Sequence, residues 1–175
     1  MAAFATSYIP TQASQVTRAA DNASMLGDNF ATWYNQTQGT FAVGVGRFSS
    51  TASTSAAFVT ASDNPINNDW IAIYGDVNNT VSNYTNAGVT QAFLNIASPI
   101  TTGGKVAFAY AANDFAASVQ GGAVATDTSG TLTTDITVLR IGAFASNPAP
   151  LNGTIRSISY YPTRLSNATL QAITA

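Results

Sequence analysis

Trp70 and Tyr74 stand four residues apart in the run Asp69-Trp-Ile-Ala-Ile-Tyr74, and Asp76, Asn78 and Asn79 follow at once. In an extended strand Trp70, Ala72 and Tyr74 share one face, and Ile71 and Ile73 take the other. Flat rings beside carboxylate and amide groups suit a pyranose, which has an apolar face and a polar rim. Tyr84 is expected on the adjoining strand. The candidate ligand-binding set is therefore Trp70, Tyr74, Asp76, Asn78, Asn79 and Tyr84. The opposite packing, with the two rings in the core and the isoleucines elsewhere, satisfies the same alternation.

The carboxylates support fewer kinds of chemistry. All eight acidic residues are Asp, and the chain has no Glu, no His and no Cys. That composition excludes His- or thiolate-ligated zinc, a Ser-His-Asp or Cys-His nucleophile, and a paired-Glu glycosidase. Two Asp could serve a glycosidase in principle. Most of them instead sit in turn contexts such as Asp63-Asn-Pro, Asp76-Val-Asn-Asn, Asn113-Asp114 and Asp127-Thr-Ser-Gly, where Asp caps nearby backbone N–H groups. No catalytic residue is assigned, and the chain is expected not to be an enzyme. Two oxygen-rich loops could approach a Ca²⁺ ion: Asp63, Asn64, Asn67, Asn68 and Asp69, and then Asp76, Asn78 and Asn79. Ca²⁺ needs about six to eight oxygen ligands, so two acids per loop is thin. Turn formation is the stronger reading, and neither a metal nor a cofactor is expected.

Only 8% of residues are charged, against roughly 25% in average soluble proteins. The surface must be built from Ser, Thr, Asn, Gln and Ala. Six scattered basic residues and a net charge of −2 give nucleic acid no electrostatic footprint. The longest uncharged apolar run, Val106 to Ala112, is too short to span a bilayer. No basic stretch precedes an apolar one at the start, so a secretory leader is not expected. A weakly charged surface offers little colloidal repulsion and favours association.

The elements that must position these residues are strands. Thr40 to Phe48 alternates Phe41, Val43 and Val45 with Ala42, Gly44 and Gly46. Val106, Phe108 and Tyr110 alternate with Ala107, Ala109 and Ala111. A two-residue Asn113-Asp114 link leads to a strand from Phe115 to Gln120 that ends at Gly121-Gly122. Short strands with turn signals at steady intervals predict an antiparallel sandwich. Ile155 and Ile158 are out of phase, which predicts a bulge, and Pro162 ends that strand. Ser166 caps one short helix through Ile173, with Leu165, Leu170 and Ile173 as its apolar contacts. Trp33 and Tyr34 read as core plugs. The small-residue face (Ala42, Gly44 and Gly46 with Ala107, Ala109 and Ala111) either accepts a ligand or subunit or packs under a bulky partner strand; the second reading is favoured. Residues 1–21 read as an extended arm ahead of a sandwich domain over 22–175.

Several of these segments, in order, resemble a known family. They are Ala5-Thr-Ser-Tyr-Ile-Pro-Thr11, Val16-Thr-Arg-Ala-Ala-Asp21, Trp33-Tyr-Asn-Gln-Thr-Gln-Gly-Thr-Phe41, the Lys105–Phe115 hairpin, Arg140-Ile-Gly142, and Leu151-Asn-Gly-Thr-Ile155 through Tyr-Tyr-Pro162 to Arg-Leu-Ser166. The likeness is to concanavalin A-like, laminin-G-type lectin domains of bacteriophage tail and other virion proteins. It implies an all-β concanavalin A-like jelly roll with one short C-terminal helix. It further implies a non-enzymatic module on the virion that binds a host-surface glycan or forms part of a tail or fibre receptor-binding assembly. The alternative is a capsid decoration, cement or head-fibre protein whose arm docks on neighbouring subunits. Either way the partners are a glycan or other virion subunits, and a homo-oligomer, a trimer in a virion setting, is expected.

Overall fold

The computed structural model describes residues 23–51, 54–64, 68–144 and 151–175. The arm expected over residues 1–21 lies outside them, as does Asn67. In chain order the elements are β1 (Ala23–Leu26), α1 (Asp28–Ala31), β2 (Gln38–Phe48), β3 (Ala56–Ser62), β4 (Trp70–Gly75), β5 (Thr80–Asn86), β6 (Val89–Ile96), β7 (Gly104–Ala111), β8 (Asp114–Val119), β9 (Ala125–Asp127), β10 (Val138–Ile141), β11 (Gly153–Tyr161) and α2 (Asn167–Thr174).

The strands form two antiparallel sheets, one of six strands in the order β1-β10-β3-β4-β5-β6 and one of five in the order β11-β2-β7-β8-β9. Alternation decides what lies between them. Phe41, Val43 and Val45 of β2 and Val106, Phe108 and Tyr110 of β7 face Val59, Ala61, Ile71, Ile73 and Tyr84 in one core. The bulge expected in β11 is present, with register shifts on both sides of Ile155. It keeps Ile155, Ile158 and Tyr160 all packed towards the core. The β7–β8 turn differs from the expectation by one residue. Asp114 pairs with Ala111, so Ala112-Asn113 make the turn, and Asn113 takes the left-handed conformation at φ 57°. Asn adopts that region more readily than most residues, because its short polar side chain can hydrogen-bond locally.

The outer face of the five-stranded sheet carries the small residues, and a helix rather than a bulky strand covers its alanines, while Gly44 and Gly46 lie against Ser157 and Thr154 of β11. Leu170 of α2 packs on Ala107, Ala109 and Ala116, with Leu165, Ile173 and Ala42 around it. Small side chains let the helix approach closely. Its N-cap is Ser166, whose hydroxyl accepts the Thr169 N–H at 3.2 Å. The short helix α1 was not expected, because four residues cannot display a helical period. It delivers Trp33 and Tyr34 to the core edge, as their position before β2 suggested.

At that edge Tyr110 donates to the Asn35 carbonyl at 2.7 Å and lies 2.9 Å from the Tyr160 hydroxyl, which accepts the Asn35 N–H. Burial pushes the Tyr34 and Tyr110 hydroxyls well above their ordinary pKa.

Candidate functional site

The outer face of the six-stranded sheet is built by the strand that carries Trp70 and Tyr74. Ile71 and Ile73 are fully buried in the core, so the same pleat turns Trp70, Ala72 and Tyr74 outward. Both rings are half-buried, with the methyl of Ala72 fully buried between them. Of the two packings the sequence allowed, the chain adopts the one with isoleucines inward.

The pairing register shows what surrounds the rings. Arg140, Thr60, Ala72, Asn83 and Phe93 lie opposite one another across β10, β3, β4, β5 and β6. The next row sets Ser62, Trp70 and Thr85 side by side. A line of ring, amide, hydroxyl and guanidinium thus crosses the sheet. Arg140 donates from Nη1 to Ser62 Oγ at 2.8 Å, and Thr85 donates to Asn83 Oδ1 at 3.0 Å. Phe93, at the far edge, is 52% exposed, a large apolar surface left open beside polar groups. Tyr74 meets Phe144 edge-to-face at 5.4 Å. Burial, and then the Asp76 carboxylate, raise the Tyr74 hydroxyl above its ordinary pKa.

Arg140 is the only charged residue in the six strands of this sheet. Among the described residues the one ion pair is between Arg164 and Asp114, so Arg140 has no carboxylate partner there. A half-buried cation anchored by a neutral hydroxyl can still donate a charge-assisted hydrogen bond to an incoming anion.

The remaining residues of the expected set divide. Asp76, Asn78 and Asn79 form the β4–β5 turn beyond Tyr74. The Asp76 carboxylate accepts the N–H groups of Asn78 at 2.6 Å and Asn79 at 2.8 Å, which uses it to shape the turn. Tyr84 does not join the rings. It is 0% exposed on the inner side of β5, opposite Ile71, and its hydroxyl accepts the Thr133 N–H at 3.1 Å. Phase explains the difference: Tyr84 pairs with an isoleucine, whereas Asn83 and Thr85 pair with Ala72 and Trp70.

The other oxygen-rich loop is likewise occupied internally. Asp63 Oδ1 accepts the Asp69 N–H at 3.1 Å, and buried Asp69 accepts from the Ala87 N–H and from the Thr133 hydroxyl. Among the described residues no three Asp side chains converge as metal ligands would. Asp127 accepts both the N–H and the hydroxyl of Ser129.

Asn83, Phe93 and Arg140 were missed in the sequence. Strand β5, Thr-Val-Ser-Asn-Tyr-Thr-Asn, is polar on both faces and gives no period to assign. Arg140 did carry a signal, a lone cation in Val-Leu-Arg-Ile, but it was read there only as part of a family segment.

No known protein family matches the chain, and no curated protein matches it in sequence. Solved structures do share its architecture. The CBM40 domain of the Ruminococcus gnavus IT-sialidase, bound to α2,3-sialyllactose, superposes with a TM-score of 0.72 at 16% identity, covering 91% of this chain and 96% of that one. The leech intramolecular trans-sialidase gives 0.72 at 18% identity over 90% of this chain, which spans 26% of that larger protein. A heptameric pentraxin from Limulus polyphemus gives 0.59 at 12% identity, over 79% of this chain and 70% of that one. At such identities the likeness is one of fold, and the fold is the concanavalin A-like lectin-type sandwich.

Proposed function

We propose that this chain is a non-catalytic carbohydrate-recognition module whose ligand lies on the outer face of the six-stranded sheet. The carrying observation is the pair of half-buried rings, Trp70 and Tyr74, on the outward face of one strand. A sugar ring laid against the open edges of Trp70 and Tyr74 would have the Arg140 guanidinium two strands away on the same face, above a floor of buried Thr60, Ala72 and Asn83. The guanidinium of Arg140, without a carboxylate partner among the described residues, favours a sugar acid over a neutral sugar. The CBM40 domain of the same fold, solved with a sialylated sugar, supports the class of ligand. The segments that resemble phage tail domains extend the reading to a virion surface, where the bound glycan belongs to the host.

A glycan array followed by titration tests this. The parent should bind carboxylated oligosaccharides in preference to their neutral counterparts. Trp70→Ala should lose about tenfold in affinity, the equivalent of about 1.4 kcal/mol for one stacking ring. Arg140→Gln should bring charged and neutral sugars to the same affinity. Absence of sugar binding, or a Trp70→Ala variant that binds like the parent, rules the proposal out.

A further inference from the structure

The sandwich is not closed along one side. There β1 ends the six-stranded sheet and β11 ends the five-stranded one, and a groove of about 720 Å³ opens between their inner faces. Its walls are Met25, Leu139 and Ile141 from one sheet and Ile158 and Tyr160 from the other, with Trp33 at one end. Met25 is the telling residue. It pairs with buried Leu139 and so faces inward, yet it is 43% exposed. An inward-facing residue stays open where nothing opposes it, so among the described residues one layer of apolar side chains is wanting at this edge.

We propose that the segment ahead of β1, residues 1–22, fills this groove on its own chain, with Phe4, Tyr8 and Ile9 as the side chains that enter it. Those residues lie outside the described ones; the groove, the segment's composition and its point of attachment point to it. The segment joins at Ala23, two residues before Met25, so it emerges at the groove's rim. Extended at about 3.3 Å per residue, 22 residues reach about 70 Å, ample to turn and run back along the opening. Its apolar group Phe4, Tyr8, Ile9 and Pro10 is followed by polar Thr11, Gln12, Ser14 and Gln15, which suit a solvated return. A tethered segment acts at an effective concentration near millimolar, ahead of any free partner competing for the same surface.

The chain contains no Cys, which makes cross-linking a clean test on the full-length protein. Phe4, Tyr8 and Ile9 are replaced by Cys one at a time, each combined with Ile158→Cys on the groove wall. The control partner is Ser159→Cys, next along β11 but exposed on the other face. At least one groove pair should oxidise to an intramolecular disulfide roughly tenfold faster than its control pair. Equal rates would overturn the proposal. So would disulfides found only between chains, which would assign the groove to a second copy. Acrylamide quenching provides a check that needs no cysteine. In a Trp70→Phe background, where Trp33 is the remaining tryptophan, Ile9→Asp should raise the quenching constant about twofold. An unchanged constant overturns the proposal equally.

Discussion

Tyr84→Phe separates the core from the binding face. The Tyr84 hydroxyl is buried and accepts the Thr133 N–H at 3.1 Å, so its removal leaves a buried donor unpaired. That costs about 1–3 kcal/mol, a fall in Tm of roughly 2–10 °C for a domain of this size. The same hydroxyl makes the effect depend on pH. Burial, with a smaller push from the Asp69 carboxylate, raises its pKa from the ordinary 10.0 to about 12. Folding therefore holds the proton more tightly than the unfolded chain does. The stability tied to it is complete below pH 10 and is lost as pH rises towards 12. Two units correspond to about 3 kcal/mol, which the parent forfeits over that interval and the Phe variant does not. Urea denaturation at steps from pH 7 to 12 should show the variant less stable at neutrality, with the gap closing above pH 10. Sugar affinity at pH 7 should match the parent. A gap constant from pH 7 to 12 would refute the linkage, and a tenfold affinity loss would mean that Tyr84 touches ligand after all.

Two further substitutions test how the site's scaffold is held. Leu170→Ala removes the fully buried side chain that α2 lays on Ala107, Ala109 and Ala116. Alanines cannot reach into the vacated space, so the cost should fall in the cavity-forming range, about 3–5 kcal/mol, seen as a Tm drop above roughly 6 °C. Gly39→Ala would place a methyl 2.6 Å from the Tyr110 hydroxyl and 2.5 Å from that of Tyr160. It should cost about 2–4 kcal/mol by overpacking and by breaking the hydrogen bond to Asn35. Spectrophotometric titration should then show tyrosine ionisation beginning nearer the ordinary pKa than in the parent; an unchanged profile would mean that the cluster absorbs the methyl.

What the sequence made legible follows from where periodicity is strong. β2 and β7 alternate bulky and small residues without a break, so both their pairing partners' faces and their core side could be read directly. The N-cap at Ser166 was equally plain, because hydroxyl capping is a local interaction. The register between strands is not local. Trp70 and Tyr74 could be put on one face, but which residue of β5 stands opposite Ala72 depends on the length of the Asp76–Asn79 turn. A shift of one residue would exchange Asn83 for Tyr84. Strand β5 contains no alternation to correct such a shift, and the expected site took the wrong neighbour for that reason.

The two outer faces explain why the six-stranded one is the surface to test. Both carry small residues in the middle of central strands, and small residues alone invite any close neighbour. On the five-stranded sheet that neighbour is already present in α2, whose Leu170 fits the alanine floor. On the six-stranded sheet the small residue is Ala72; among the described residues no helix covers it, but it is fully buried, its neighbour Thr60 donates to the Ala143 carbonyl, and Phe144 packs on Tyr74. Two rings flank it, with a guanidinium that has no acid to answer it among the described residues. Folding alone would favour an aliphatic residue over a half-buried Arg140 without a carboxylate partner among the described residues, since the charge gives up hydration without a counter-charge in return. A cost of that kind at one position of an otherwise uncharged sheet is what an anionic ligand would offset. For that reason Arg140→Leu should stabilise the free protein while abolishing its preference for acidic sugars. A variant that is less stable than the parent would instead make Arg140 a structural residue and remove it from the site.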